Sequence, residues 1–229
     1  MNLKSLICYH RGVSKIGDIP NSYEAIKNAI QKKPLLVEFD IFLHKGELYT
    51  GHPPHDPINK FKDVIKLFVG KSTFPKIDIK VKKDYVTPIK KVLEELKNEN
   101  IKFALINIGG IKGKLSMEAE EYLASHSGSN VMINIDLARY GKEEFAKHLK
   151  RIQNKVLSIS PEINESDWEY VFKIAKKYDI PVCNFWLRGW PDVKNPSISE
   201  RKILEAFLAG RKQGLIVLFD LNPFFVTRA

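Results

Sequence analysis

Cysteine is scarce in this chain. Only Cys8 and Cys183 occur among 229 residues, each inside an apolar run. Two such residues exclude a disulfide framework and read as small buried hydrophobes of a reducing compartment. Long apolar stretches are missing too: no window reaches the roughly 18 residues that a membrane span requires, and the opening Met-Asn-Leu-Lys-Ser-Leu-Ile-Cys is too short in its apolar part for a signal peptide. These absences predict a soluble, cytoplasmic protein. No Ser/Gly-rich linker or low-complexity segment interrupts the sequence, which reads as one domain over residues 1–229. The segment after the first apolar run, Arg11-Gly12-Val13-Ser14-Lys15-Ile16-Gly17, lacks the GxGxxG spacing of a dinucleotide fold.

Acidic residues are outnumbered, 27 against 37 Lys and Arg, for a formal charge of +10. Such a field attracts anions, whether phosphate esters, nucleic acid or acidic headgroups. Many of the lysines, such as Lys82, Lys83, Lys90, Lys91 and Lys97, fall at helix-surface spacing and read as a solvated basic face. Charge is the only support for nucleic-acid association, and no recognition helix, RNA-binding sheet motif or zinc module accompanies it, so no nucleic-acid partner is expected.

What is present is an alternation. Apolar, β-branched runs at 6–9, 35–41, 74–81, 101–108, 131–135, 156–159, 181–186 and 215–218 read as eight buried strands. Between them, helix-period segments occupy 22–31, 58–69, 85–98, 116–125, 142–150, 167–178 and 199–210. Asn21 reads as the cap of the first, with Glu24 three residues on completing a capping-box-like pair. Strict alternation predicts parallel pairing through βα units, and eight strands predict a closed (β/α)8 TIM barrel.

In such a barrel the chemistry sits where strands end. The first run ends in His10-Arg11-Gly12, the second holds Glu38-Phe39-Asp40, a hairpin-like segment after it ends in Gly51-His52, and the third holds Asp78-Ile79-Lys80. Period-two spacing places Glu38 with Asp40, and Asp78 with Lys80, on shared inward faces. Three carboxylates from neighbouring strands suit a hard divalent cation such as Mg²⁺ or Ca²⁺ rather than zinc. The alternative is a buried salt-bridge network of Glu38 and Asp40 with Arg11 and Lys80. His10 and His52 are the candidate proton-transfer groups, one to deprotonate the attacking oxygen of a diester and one to protonate the leaving alkoxide. His44, beside a Lys45-Gly46 turn signal, and His55, in a proline-bracketed loop, read as surface residues.

This ordered set resembles the glycerophosphodiester phosphodiesterase family: His10-Arg11-Gly12 on the first strand, Pro20-Asn21-Ser22 at the helix start, Glu38-Phe39-Asp40 on the second strand, then Gly51-His52. The resemblance extends to Ile77-Asp78-Ile79-Lys80, similar to a third-strand Glu-x-Lys, to Trp186 on the seventh strand and to Asn222-Pro223 after the eighth. It implies a TIM-barrel hydrolase with roles in glycerol and lipid metabolism, cleaving small-molecule glycerophosphodiesters to sn-glycerol 3-phosphate and an alcohol. His10 and His52 would be acid and base, Glu38, Asp40 and Asp78 the ligands of Mg²⁺ or Ca²⁺, Arg11 and Lys80 the phosphate clamp, and Trp186 a pocket wall. Against the family pattern, Pro20 and Pro53 stand where acidic residues are usual, and Asp78 replaces Glu.

The family's cap insertion after the second strand is missing, since only about 20 residues separate His52 from the third strand, a near-minimal connection. That predicts an open site admitting bulkier diesters such as lysophospholipids or a polymer. The eighth helix is expected to be missing or reduced to the Phe224-Phe225 tail, whose two aromatics would close the barrel's flank or meet a second subunit in a homo-oligomer. A barrel that binds phosphodiesters without turning them over is the competing reading. A metal-dependent amidohydrolase is disfavoured by the lack of His-x-His on the first strand.

Overall fold

The computed structural model describes residues 7–55, 57–161, 168–186, 198–221 and 226–227. Eight strands pair in parallel around a closed circuit: β1 (Ile7–Tyr9), β2 (Leu36–His44), β5 (Phe74–Lys80), β6 (Ala104–Gly109), β7 (Val131–Asp136), β8 (Val156–Ser160), β9 (Val182–Trp186) and β11 (Ile216–Leu221). Closure is made by β1, whose Tyr9 is in register with Val37 on one side and Leu221 on the other. The helices that carry the chain back are α1 (Tyr23–Gln31), α2 (Phe61–Ile65), α3 (Val86–Asn98), α4 (Lys114–His126), α5 (Lys142–Ile152), α6 (Trp168–Lys177) and α7 (Glu200–Lys212). All eight anticipated strands and all seven helices form, with boundaries shifted by a few residues. Two short strands complete a hairpin beside β2: β3 (Glu47–Thr50) pairs antiparallel with β2, and β4 (Asn59–Lys60) with β3. A further pair, β10 (Ile198–Ser199) and β12 (Val226–Thr227), is parallel. Among the described residues no helix follows β11, and residues 222–225, including Asn222-Pro223 and Phe224-Phe225, lie outside them.

Strand alternation builds two cores rather than one. Outward residues such as Val37, Phe39, Ile41, Ile77, Ile79, Ile106 and Phe185 pack under the helices in a large apolar sheath. Inward residues near the amino ends of the strands, Cys8, Leu36, Leu105, Val182 and Leu218, form a separate plug capped by Phe74, Phe103, Met132 and Leu157. Both thiols are buried and free, as expected. Above the plug the inward positions turn polar, and there the apolar floor becomes a site.

One local expectation is overturned. Asn21 does not cap α1. Ser22 does, its Oγ accepting from the Ala25 N–H at 3.1 Å. Asn21 is instead buried in left-handed backbone, φ 63°, and turned to Asp40, donating from Nδ2 to Oδ2 at 3.1 Å and accepting the Asp40 N–H at 2.8 Å. Two residues with equal capping chemistry stand side by side, and the one with the longer side chain reaches the barrel interior.

Candidate active site

The His10-Arg11-Gly12 turn is shaped by two consecutive left-handed residues, Arg11 at φ 52° and Gly12 at φ 68°. At Gly12 a Cβ would lie 2.6–2.9 Å from the side chain and backbone of Ile26, so only glycine lets α1 pack this close. The turn aims the Arg11 N–H at Glu38 Oε2, 2.7 Å away. The Arg11 guanidinium meets Asp40 Oδ2 at 2.8 Å. His10 sits between two acids, its Nδ1 3.1 Å from Asp220 Oδ1 and 3.3 Å from Glu38 Oε2.

From β5, Lys80 Nζ reaches Asp40 Oδ1 at 2.9 Å and Asp78 Oδ2 at 2.6 Å. Further down the same strand, the buried Lys76 ammonium is paired with Asp220. His52 follows the hairpin, where the Gly51 N–H is donated to the Asp40 carbonyl of β2 at 3.1 Å. Its Nδ1 lies 2.8 Å from the Pro53 carbonyl.

These side chains converge on a cavity of about 210 Å³ lined by His10, Arg11, Glu38, His52, Asp78, Lys80 and Trp186. Of the eight residues singled out in the sequence, only Asp40 lies outside the lining; it is 1% exposed and sits behind it, holding Arg11 and Lys80. The lining also includes residues that were not anticipated: Lys76, Asn107, Asn134, Asp136, Arg139, Ser160 and Asp220. Two of them carry a readable signal. Asp220 ends an apolar run as His10 does, and Lys76 shares the period-two face of Asp78 and Lys80.

Crowded charge shifts the titration of these groups. Burial drives the Glu38 carboxyl up to about 7, with Asp40 and Asp220 adding to the shift. Burial would also raise Asp40, but Lys80 and Arg11 pull it down to about 2. At His10, burial works against the charged ring, yet Glu38 and Asp220 outweigh it and raise the imidazole above its ordinary value. His52 moves the other way: burial, with Lys80 and Arg11 nearby, lowers it. The two imidazoles thus differ in protonation tendency, one favouring the acid form and the other the base.

Both arrangements anticipated for the carboxylates bear on the geometry. Asp40 is locked into the salt-bridge network with Arg11 and Lys80. Even so, Glu38, Asp40 and Asp78 each offer an oxygen within 4.8 Å of the others. Asp78 Oδ1 is buried with no hydrogen-bond partner among the described residues, and a Cβ at Gly109 would come within 2.4 Å of it. An orphan carboxylate oxygen, an all-oxygen donor set and a Glu38 carboxyl raised by burial and neighbouring negative charge fit a hard divalent cation.

No protein-family model matches the chain, and no curated protein matches it in sequence. Solved structures do match in shape. A phosphodiesterase of Oleispira antarctica in complex with the product sn-glycerol-3-phosphate aligns with a TM-score of 0.65 and 14% identity, covering 93% of this chain and 91% of that one. A glycerophosphodiester phosphodiesterase of Parabacteroides distasonis aligns at 0.61 and 11% over the same shares. A third structure, from Agrobacterium tumefaciens and provisionally assigned as a glycerophosphoryl diester phosphodiesterase, aligns at 0.68 and 14%, covering 96% of this chain and 94% of its own. At these identities the likeness establishes the fold: this chain is built on the TIM barrel that those phosphodiesterases share.

Proposed function

We propose that this protein is a metal-dependent phosphodiesterase of the glycerophosphodiester type, releasing sn-glycerol 3-phosphate and an alcohol. The observation that carries the reading is that His10 and His52 line one cavity together with Glu38 and Asp78. Glu38, Asp40 and Asp78 would hold Mg²⁺ or Ca²⁺, whose charge would be set against that developing on the phosphoryl oxygens.

The neighbouring glycerol hydroxyl attacks phosphorus, and the P–O bond to the alcohol breaks. His52, the imidazole with the lowered affinity for protons, accepts the hydroxyl proton. His10, kept protonated by Glu38 and Asp220, gives a proton to the leaving alkoxide through Nε2, because Nδ1 is engaged. Water then opens the cyclic phosphate with the two roles exchanged. Arg11 and Lys80 orient the ester, and Trp186 covers it.

No helix of the described residues is long and apolar enough to cross a membrane. With both thiols free we place the enzyme in a reducing, cytoplasmic compartment. The test is release of glycerol 3-phosphate from glycerophosphodiesters and lysophospholipids, with and without EDTA. His10→Ala and His52→Ala are each expected to lower kcat by about 10²–10⁴-fold. Full rates in either variant, or no cleavage by the parent, overturn the reading.

One observation favours a second reading. Asp78, a methylene shorter than the Glu of the family pattern, is already paired through Oδ2 with Lys80 at 2.6 Å, which would weaken the metal grip that turnover needs while leaving the cavity open to a diester. Calorimetry showing binding of metal and diester with no product formed would select it.

A further inference from the structure

The position of His52 fixes the direction in which the alcohol would leave. In the proposed reaction the attacking hydroxyl gives its proton to His52, beyond the hairpin on β2, and the leaving oxygen departs in line on the far side of phosphorus. Counted round the closed circuit, β8 is the fourth strand from β2 in either direction, so it faces β2 across the mouth with β7 and β9 beside it. The alcohol therefore departs toward the ends of these three strands.

Buried hydrogen-bonding groups wait there without partners among the described residues. Trp186 Nε1, Asn134 Nδ2 and Arg139 Nη1 are unpaired donors, and Asn107 Oδ1, on β6 beside β7, is an unpaired acceptor. All four residues line the catalytic cavity, and so does Ser160 of β8. The Ser160 Oγ donates to Asn134 Oδ1 at 2.8 Å, which leaves its own lone pairs for a further donor. Arg139 belongs to the turn after β7, and its side chain is only 9% exposed.

Net charge does not decide what fits this wall. Arg139 Nε lies 3.3 Å from Asp136 Oδ2, so a cation and an anion answer each other, and selection falls to hydrogen bonding. A group that displaces water from such atoms loses affinity unless it replaces the bonds that water makes. A hydroxyl both donates and accepts and can serve every one of them. A quaternary ammonium or an acyl chain serves none.

We infer that the ends of β7, β8 and β9 form the leaving-group subsite and select an uncharged polyol such as glycerol, with Asn134, Ser160 and Arg139 setting the preference. This rests on the phosphodiesterase reading and names its substrate class.

The experiment compares kcat/KM for glycerophosphodiesters whose leaving alcohol is glycerol, 1-propanol, choline or glycerol phosphate. 1-Propanol keeps the carbon chain of glycerol without its further hydroxyls. The glycerol diester is expected to exceed the propanol and choline diesters by about 10–100-fold, the scale of one or two buried polar groups left unpaired. The Asn134→Ala/Ser160→Ala double variant removes both ends of one hydrogen bond and strands neither; it is expected to narrow the glycerol-to-propanol ratio to about threefold or less. Comparing that ratio between parent and variant cancels the intrinsic difference between the two alkoxides. Should thermal unfolding show that the double variant does not fold, Arg139→Gln is read in the same way. Parity between glycerol and 1-propanol, faster cleavage of the glycerol phosphate diester than of the glycerol diester, or a variant that slows all substrates alike overturns the subsite and leaves the hydrolase standing. Cleavage of none of the four overturns the hydrolase and the subsite with it.

Discussion

The two halves of the barrel mouth carry different chemistry on the same strand architecture. On the arc of β11, β1, β2 and β5 the inward groups are Asp220, His10, Glu38, Asp40, Lys76, Asp78 and Lys80, joined by ion pairs into two groups, His10, Glu38 and Lys76 with Asp220, and Asp40 and Asp78 with Lys80, which Arg11 links into one mesh through its N–H to Glu38 and its guanidinium to Asp40. On the arc of β6 to β9 they are mainly Asn107, Asn134, Ser158, Ser160 and Asn184. At its edge Asp136 pairs with Arg139 at 3.3 Å.

The neutral arc is also the less satisfied. Asn107 Oδ1, Asn134 Nδ2, Ser158 Oγ and both polar atoms of Asn184 have no partner among the described residues, whereas Ser160 Oγ donates to Asn134 Oδ1 at 2.8 Å. Charges must be matched on folding because an isolated buried ion is costly, while amides can wait for a ligand at a cost of about 1–3 kcal/mol each. In the proposed enzyme the charged arc would hold metal and phosphate, and the neutral arc would meet the glycerol hydroxyls.

Removing a partner from the mesh should have the largest effect. Lys76→Met strands Asp220 against His10 alone and is expected to cost about 3–5 kcal/mol in urea unfolding; a loss under about 1 kcal/mol would mean that the arc is not cooperative. Gly109→Ala, which presses a methyl onto Asp78 Oδ1, should cost about 1–3 kcal/mol and weaken Mg²⁺ or Ca²⁺ binding in calorimetry. Unchanged metal affinity there would argue against Asp78 as a ligand.

Smaller effects are expected across the barrel. Asn134→Ala should raise KM several-fold with kcat nearly constant, the mark of a uniform binding contact worth about 1 kcal/mol; a fall in kcat alone would move Asn134 to the chemical step. Asn184→Leu, nearly the same shape without the unpaired amide, should leave thermal stability within about 1 kcal/mol of the parent or raise it. A large loss would show that the amide has a partner after all.

The charged arc is largely legible in the sequence, for a physical reason. Carboxylates and histidines at the ends of apolar runs are conspicuous, and a period of two fixes which of them face inward, so His10, Glu38, Asp40, His52, Asp78 and Lys80 can be gathered from residue order alone. Lys76 escapes because a lysine within a strand is equally at home facing solvent, and its partner Asp220 is 144 residues away. The neutral arc is not legible at all. Asn107, Asn134 and Asn184 alternate with apolar neighbours as polar residues do in any strand, and only closure of the barrel brings them to one rim. Asn21 reads locally as a cap, whereas its bonding is long-range.

The hairpin under His52 has a consequence for how such a protein can change. Because that imidazole is tied to β2 through Gly51, the geometry of the proposed proton transfer would be anchored before the proline-bracketed stretch at 53–57 begins. Provided the Pro53 carbonyl is kept, the proposed enzyme would tolerate exchange of the remainder of that stretch: longer or differently charged grafts would retune which esters are accepted while leaving proton transfer as it is, so that diversification and chemistry would be inherited on separate segments.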